Sequence, residues 1–551
     1  MLFQQHLAAV TAAICFFSHF ALVFSVNVRQ NGVKILIAGD SISHGAEGDY
    51  TWRYRLWQWL RANNVNFDFV GPWQGTFEPA EPTPPQPPLL QGEAQPTTPD
   101  HVKGGYALDV DPAFDKDHFC HSGRQVAQAK NEIVPHIATY QPDYVLIALG
   151  FNDLGWWING PDGLLSDMKT LIDNVRGQKG NVKFAVANVP HRTRINGRQD
   201  LIDNTITYNS MLASAIPGWS TSNSPIQLVQ FNENYKCGPD GCPAGFDGLH
   251  PNQLGEYEIA QAFSRVLNSN YEFGSSALDV PGNLPPPSCP MPTNVKATTS
   301  PYGVAVTWDH VYGARGYNIR SKRSSFGDWT ETWYAISTNR YNQIWVLEGE
   351  TWEYQVRTSC GDATKSDYSG ISSAVVHQTV APGPKNVVVN PTQDGFSARW
   401  DPPDGSYNIQ LYEVFTYDID GGCVFLLSRG IKGNSITVSG LQSGHRHIIA
   451  ISTWTDLGPG FPTVPWSVKP GTETPATPRD MTVDTKDGAT VILKFTGDGA
   501  PNYRAWTRNV NNASDYSKAD LTVVSDPCIG ITFLFPGAWN YEFCVTALNG
   551  N

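Results

Sequence analysis

The sequence predicts a parallel α/β domain followed by a row of antiparallel β-sandwiches. Three observations predict it. Apolar runs at 33–38, 144–149 and 182–188 alternate with helical patterns over Trp52 to Ala62, Gln125 to Thr139, Leu164 to Arg176 and Leu254 to Leu267. Strands that alternate with helices build a parallel sheet covered by helices. Beyond the prolines of 281–287 the chain switches to short alternating strands with close turn signals, as sandwiches require. That second pattern recurs with a period of about 90 residues, one sandwich each.

Taken in order, Leu7 to Val26 is almost wholly apolar and Val23-Phe24-Ser25 ends on a small residue, so residues 1–26 are expected to be a signal peptide of a secreted protein. The first ten residues hold no Lys or Arg, and the run is also long enough for an N-terminal membrane anchor. No later stretch is long and apolar enough to span a membrane, so no stable insertion of the remaining chain is expected. Residues 27–272 form the α/β domain. Within it, 74–118 is proline-rich and lacks periodicity; a loop of that length either walls a cleft or is a surface excursion. Residues 273–288 are a linker. Residues 289–380, 381–472 and 473–551 are the sandwiches. Pro292-Thr293-Asn294-Val295 leads to a strand ending at Trp308, Pro384-Lys385-Asn386-Val387 to one ending at Trp400, and Pro478-Arg479-Asp480-Met481 to one ending at Phe495. Later in each come Leu347, Gly349 and Tyr354; Leu441, Gly444 and His447; and Phe535, Gly537 and Tyr541. The third stops at Asn551 and is expected to be an incomplete sheet, one completed by a partner, or a truncated sequence.

At 551 residues the chain is too long for one domain. Only 16% of it is charged, against 50 Gly, 40 Pro and 17 Trp, which favours turn-rich β structure over long charged helices. Its net charge of −13, with no basic run, argues against nucleic acid as a partner. Cys15 lies in the signal, leaving an even number of cysteines in a chain routed to an oxidising compartment. Cys237 with Cys242, Cys289 with Cys360 and Cys528 with Cys544 are plausible pairs, and Cys120 and Cys423 are left over. No Cys/His cluster has zinc spacing, and neither a metal nor another cofactor is expected. Asn512-Ala513-Ser514 is a glycosylation sequon.

Four short motifs carry the chemistry. Gly39-Asp40-Ser41 follows the first apolar run and puts a serine at a strand end. Ser122-Gly123 offers an unobstructed backbone N–H. Gly150-Phe151-Asn152-Asp153 follows the second run and places a neutral amide donor beside the same sheet edge. Asp247-Gly248-Leu249-His250-Pro251 spaces a carboxylate to fix the tautomer of an imidazole. Together they supply nucleophile, base, acid and oxyanion donors, as acyl transfer needs. Each alone also fits a plainer role: Ser41 a helix cap, Asn152 a turn residue, His250 a surface or core histidine. Trp156 and Trp157, next to the Asn152 motif, either stack on sugar rings or fill the interior.

This ordered set resembles the SGNH or GDSL hydrolase family over roughly residues 33 to 270, all four motifs standing in family order. The resemblance implies a three-layer flavodoxin-like fold and metal-free ester hydrolysis. It assigns Ser41, His250 and Asp247 as the catalytic residues and Ser41, Gly123 and Asn152 as the oxyanion hole. Asp68-Phe69-Val70-Gly71 and Asp247 to Pro251 are most similar to acetyl xylan esterase-like carbohydrate esterases. The repeated sandwiches resemble fibronectin type III domains, with Trp308 as a core tryptophan and Tyr354 in the tyrosine-corner position; His447 stands at that position in the second. The expected protein is therefore a secreted esterase acting on acetylated polysaccharide or a small ester. A lipid esterase, and a non-catalytic carbohydrate-binding or adhesion protein with the sandwiches as binding arms or spacers, are the alternatives.

Overall fold

The computed structural model describes residues 32–80, 85–97, 99–361, 363–487, 489–512, 515–532, 534 and 540–550. The expected signal or anchor at 1–26 lies outside them, as do Ala513 and Ser514 of the sequon and Phe535 and Gly537 of the third repeat. The chain forms two compact units. Among the described residues, one takes in 32–45, Tyr50–Gly75 and Asp109–Leu284; the other takes in Ala46–Asp49, those of 76–108 and those from Pro285 onward.

The first unit is built on a parallel sheet of β1 (Val33–Gly39), β2 (Phe67–Val70), β3 (Phe119–Cys120), β4 (Tyr144–Ala148), β5 (Lys183–Ala187) and β6 (Ile226–Val229). The strand order is β2-β1-β4-β5-β6, with β3 pairing the last two residues of β1 on the side where β2 has ended. Ile35 to Ala38 and Val145 to Ile147 are fully buried on both faces of the sheet, which accounts for their unbroken apolar sequence. Two groups of helices cover it. Helices α2 (Thr51–Ala62) and α9 (Gln253–Tyr271) pack together through Trp52 stacked on Phe263 at 4.6 Å. Helices α3 (Val126–Glu132), α4 (Val134–Tyr140), α6 (Pro161–Gln178) and α7 (Gln199–Trp219) form the second group. Three short helices, α1 (Ser41–His44), α5 (Phe151–Gly155) and α8 (Phe231–Asn234), follow strand ends. The order reverses at β1, so β1 and β4 flank the point where such sheets open a crevice at their carboxyl ends.

The second unit holds three sandwiches of antiparallel sheets. In the first, the sheet of Phe326–Glu331, Gly316–Arg323, Thr351–Ser359 and Ser372–Val375 faces that of Arg340–Gln343, Gly303–Thr307 and Lys296–Ser300. The second repeats this 4 + 3 arrangement between Lys385 and Thr463. In the third, two three-stranded sheets run from Arg479 to Leu548. Each core centres on an edge-on aromatic pair: Trp308 and Tyr317, Trp400 and Tyr412, Phe495 and Tyr503. Phe495 thus occupies the place of a tryptophan while the geometry stays the same. Residues 46–49 and 76–108 belong to this unit through Arg315 paired with Asp49, the Tyr312 hydroxyl donating to Tyr106 O (2.6 Å) and Gly430 N–H donating to Leu89 O (2.7 Å).

Disulfides join Cys237 to Cys242 and Cys289 to Cys360. The third expected pair does not form. Cys528 opens a strand of one sheet and Cys544 lies within a strand of the other, and both thiols are free. Parity of cysteine count carries no information about which sheet a strand joins. Cys120, buried, and Cys423, exposed, are also free.

Candidate active site

The site is assembled at the carboxyl ends of β1, β3 and β4 and completed by the loop before α9. β1 runs into Gly39, where a side chain has no room: a Cβ there would stand 2.3 Å from that of Ser43. Asp40 then caps α1. Its Oδ1 accepts the Ile42 N–H at 3.0 Å and its carbonyl accepts that of His44 at 2.8 Å. Ser41 is the first helical residue, where the N–H has no acceptor within the helix.

The other partner comes from a tight loop between Gly245 and Pro251. Asp247 Oδ1 accepts the backbone N–H groups of Leu249 (3.1 Å) and His250 (2.8 Å), which turns the carboxylate toward the ring. Asp247 Oδ2 lies 2.7 Å from His250 Nδ1, and His250 Nε2 lies 2.9 Å from Ser41 Oγ. The structure therefore brings Ser41, His250 and Asp247 into one hydrogen-bonded chain. Gly248 (φ +80°) lets the loop lie against Thr193, whose N–H donates to Gly248 O at 2.8 Å. Below it the Cys237–Cys242 disulfide abuts Gly245, and Asn252 both caps α9 and donates to the carbonyls of Pro243 and Gly245. The Phe246 ring stacks beside the His250 imidazole, centroids 5.8 Å apart.

Gly123 and Asn152 lie on adjoining loops. Gly123 has φ +80°, and a Cβ on it would meet the Trp156 ring at 3.1 Å. Asn152 is buried, and its Nδ2 donates to Arg124 O at 3.0 Å, so the amide binds the residue that follows Gly123. Asp153 accepts the N–H groups of Val126 and Ala127 at the start of α3 and is thereby a helix anchor. Trp156 and Trp157 are both exposed rather than interior. Trp157 has one face covered by the Arg198 guanidinium at 3.8 Å and its Nε1–H donating to Asp200.

The two carboxylates nearest the serine differ in environment. Burial pushes Asp40 up to about 7, against the lowering effect of the Ile42 N–H and of His250. Burial works on Asp247 as well, but the imidazole and two backbone N–H donors outweigh it and hold that carboxyl below its usual range. No group of His, Cys, Asp or Glu able to hold a metal ion occurs among the described residues.

Sequence motifs do not point to the buried polar layer behind these residues. His44, Arg53, His118 and Arg124 pack there together with His121 and Ser122. Arg53 donates to the carbonyls of Ser43 and His44, and the His44 ring lies parallel to that of His121, 6.0 Å away. The signal in the sequence is the histidines that follow the Ser41 motif (His44) and precede Gly123 (His118 and His121).

Residues 35–263 match the family model for GDSL-like Lipase/Acylhydrolase. Among solved structures, the chain is similar to a carbohydrate esterase family 3 protein from Talaromyces cellulolyticus, at 22% identity over 44% of this chain and 100% of that one, with a TM-score of 0.31. A family 3 carbohydrate esterase of Clostridium thermocellum matches at 22% identity over 44% and 99%, TM-score 0.30. The FN1-FN3 domains of chicken CNTN1 match at 14% identity over 47% and 93%, TM-score 0.15.

Proposed function

From the match of residues 35–263 to the GDSL-like lipase/acylhydrolase family model, we propose that the chain is a carboxylic ester hydrolase, a secreted serine esterase that removes acetyl groups from polysaccharide through an acyl-enzyme. The observation that carries the mechanism is the unbroken chain from Asp247 through His250 to Ser41. With Nδ1–H donated to Asp247, His250 presents an unprotonated Nε2 to the serine. Ser41 Oγ gives its proton to that nitrogen and attacks the ester carbonyl. The oxyanion rests on the Ser41 and Gly123 N–H groups and on Asn152 Nδ2. His250 returns the proton to the departing sugar hydroxyl, and water then repeats the sequence on the acyl-enzyme.

Two features support a small acyl group on a sugar. The Trp156 ring stands close over Gly123, which crowds the oxyanion site. Trp156 and the open face of Trp157 are exposed beside it, and indole rings are amphipathic platforms of the kind sugars stack on. The two disulfides suit an oxidising, extracellular setting.

The test compares p-nitrophenyl acetate, butyrate and palmitate, and acetate release from acetylated xylan, for wild type and Ser41→Ala. Hydrolysis of acetate and of the xylan, lost in the variant, is expected. A preference for palmitate would replace the sugar ester by a lipid ester. Wild-type turnover in Ser41→Ala would remove the serine mechanism.

A further inference from the structure

The turn that presents Gly123 has little backbone to hold it. β3 is only two residues long, and its ladder to β1 ends with Cys120 opposite Gly39. Beyond it, the His121 N–H donates to Gly39 O at 3.0 Å and the Arg124 N–H closes the turn onto His121 O at 3.1 Å. Between them, Ser122 has a side-chain partner instead: its N–H donates to His44 Nδ1 at 3.1 Å, and its Oγ lies 3.1 Å from the same nitrogen. The His121–Ser122 peptide, next to the one that carries the Gly123 N–H, is thus fastened to an imidazole. That imidazole is fully buried and stands three residues after Ser41 in α1. One four-residue helix therefore carries the serine at its start and the anchor of the Gly123 turn at its end.

An N–H donor needs a lone pair opposite it, so Nδ1 must be unprotonated and the ring neutral. Its surroundings enforce that state. Burial foremost, then Arg53, His121 and Arg124, bring its pKa down to about 2, against a small opposing effect of the Gly75 carbonyl. The ring is also fixed in place. Arg53 holds the His44 carbonyl at 3.1 Å and the Ser43 carbonyl at 2.8 Å, and His121 lies parallel to the imidazole.

We propose that His44 is a positioning residue for ester hydrolysis: its Nδ1 holds the Ser122 N–H and so aims the Gly123 N–H at the developing oxyanion. This rests on Ser41 and Gly123 acting as proposed above. Because the carbonyl oxygen gains its charge only on the way to the tetrahedral state, misaiming that N–H lowers kcat and leaves KM nearly unchanged.

The experiment measures kcat, KM and Tm on p-nitrophenyl acetate, and the affinity for a boronic acid that forms a tetrahedral adduct on the serine. The full chain is compared as wild type, His44→Leu, His44→Asn and Ser41→Ala. Leucine fills the space without an acceptor, whereas the Asn Oδ1 offers one at about the reach of Nδ1. We expect His44→Leu to lose roughly 10–100-fold in kcat and in boronic acid affinity, somewhat less than deletion of an oxyanion donor, with KM within about twofold. His44→Asn should recover most of both. Undiminished kcat in His44→Leu, equal losses in Leu and Asn, or a change confined to KM would overturn the proposal. Where His44→Leu lacks the wild-type melting transition, His44→Asn and His44→Ser decide, since serine is too short to reach Ser122 and equal kcat in the two would be fatal. Turnover in Ser41→Ala removes the esterase mechanism itself; a dead Ser41→Ala beside an undiminished His44→Leu removes only the role of His44.

Discussion

The two sides of the site are held in opposite ways. Ser41 stands on a buried polar floor in which Asp40, Ser43 and His44 are almost wholly inaccessible and Arg53 clamps the carbonyls of the turn. Asp247 and His250 sit in a loop whose side chains are 42% and 30% exposed. They are fixed by short-range devices: two N–H donors to one carboxylate oxygen, the Thr193–Gly248 hydrogen bond and a disulfide that closes a very short loop. Ser41 is thus positioned by the core and His250 by a local clamp. A core-held element couples chemistry to folding, whereas a clamp lets chemistry change while the fold persists.

The largest effect should come from Ser41→Ala, with at least about a 10⁴-fold loss of kcat and an unchanged Tm, since only Oγ is removed from a partly buried position. Asp247→Asn tests the clamp side. It keeps an oxygen for the Leu249 and His250 N–H groups but favours the wrong imidazole tautomer, so kcat should fall by about 10⁴ with little change in Tm. Asn152→Ala probes the buried side and should cost about 10²–10³ in kcat. It should also cost about 1 kcal/mol of stability, because the same amide holds Arg124 O. A Tm loss in Asp247→Asn larger than that in Asn152→Ala would reverse the comparison. Opening the Cys237–Cys242 bond by Cys→Ser substitution at both positions should cost about 2 kcal/mol from loop entropy and weaken kcat through the loop rather than through the core.

The comparison extends to pH dependence, to which the two carboxylates give opposite signs. The folded state binds the Asp40 proton more tightly than the unfolded chain does. Its contribution is therefore full below its unfolded value of 3.8 and is lost as pH rises to about 7. Asp247 is held low, so its contribution is present above 3.8 and lost as pH falls through its folded value. Asp40→Asn keeps the acceptor for the Ile42 N–H and abolishes the first titration. Melting curves should place its Tm above wild type at pH 8 and level with it near pH 4.

What could be read from the sequence follows the strength of the local pattern. β1, β4 and β5 are legible because both faces are buried, so each reads as an unbroken apolar run. Helices α2, α6 and α9 are legible from period, but α7 is not. Its buried stripe of Leu201, Thr205, Tyr208, Leu212 and Ile216 has the right spacing, yet Thr205 and Thr207 are β-branched, Asn204 and Asn209 favour turns, and Pro217 lies within it. β6 is four residues long, with its middle two half-buried, too short to carry a period. The motifs that place Ser41, Gly123, Asn152, Asp247 and His250 on one side of the sheet were legible because each adjoins a strand end or a turn-rich loop. His44 was not, because a single histidine three residues from a serine carries no spacing signal; only the tertiary approach of the Ser122 turn gives it a partner. Cys528 and Cys544 show the converse, a plausible pair in sequence that sheet topology separates.

One hydrogen bond has a consequence for how such a site can change. Asn152 Nδ2 to Arg124 O spans two loops 28 residues apart in sequence, so the amide and the glycine turn share one mechanical link. A variant that shifts one loop to admit a bulkier acyl group drags the other out of register. In a library selected for such substrates, beneficial changes near 122–124 and near 150–153 should appear in pairs, each harmful without its companion. Pairwise epistasis between those stretches would then be the evolutionary imprint of a single 3.0 Å contact.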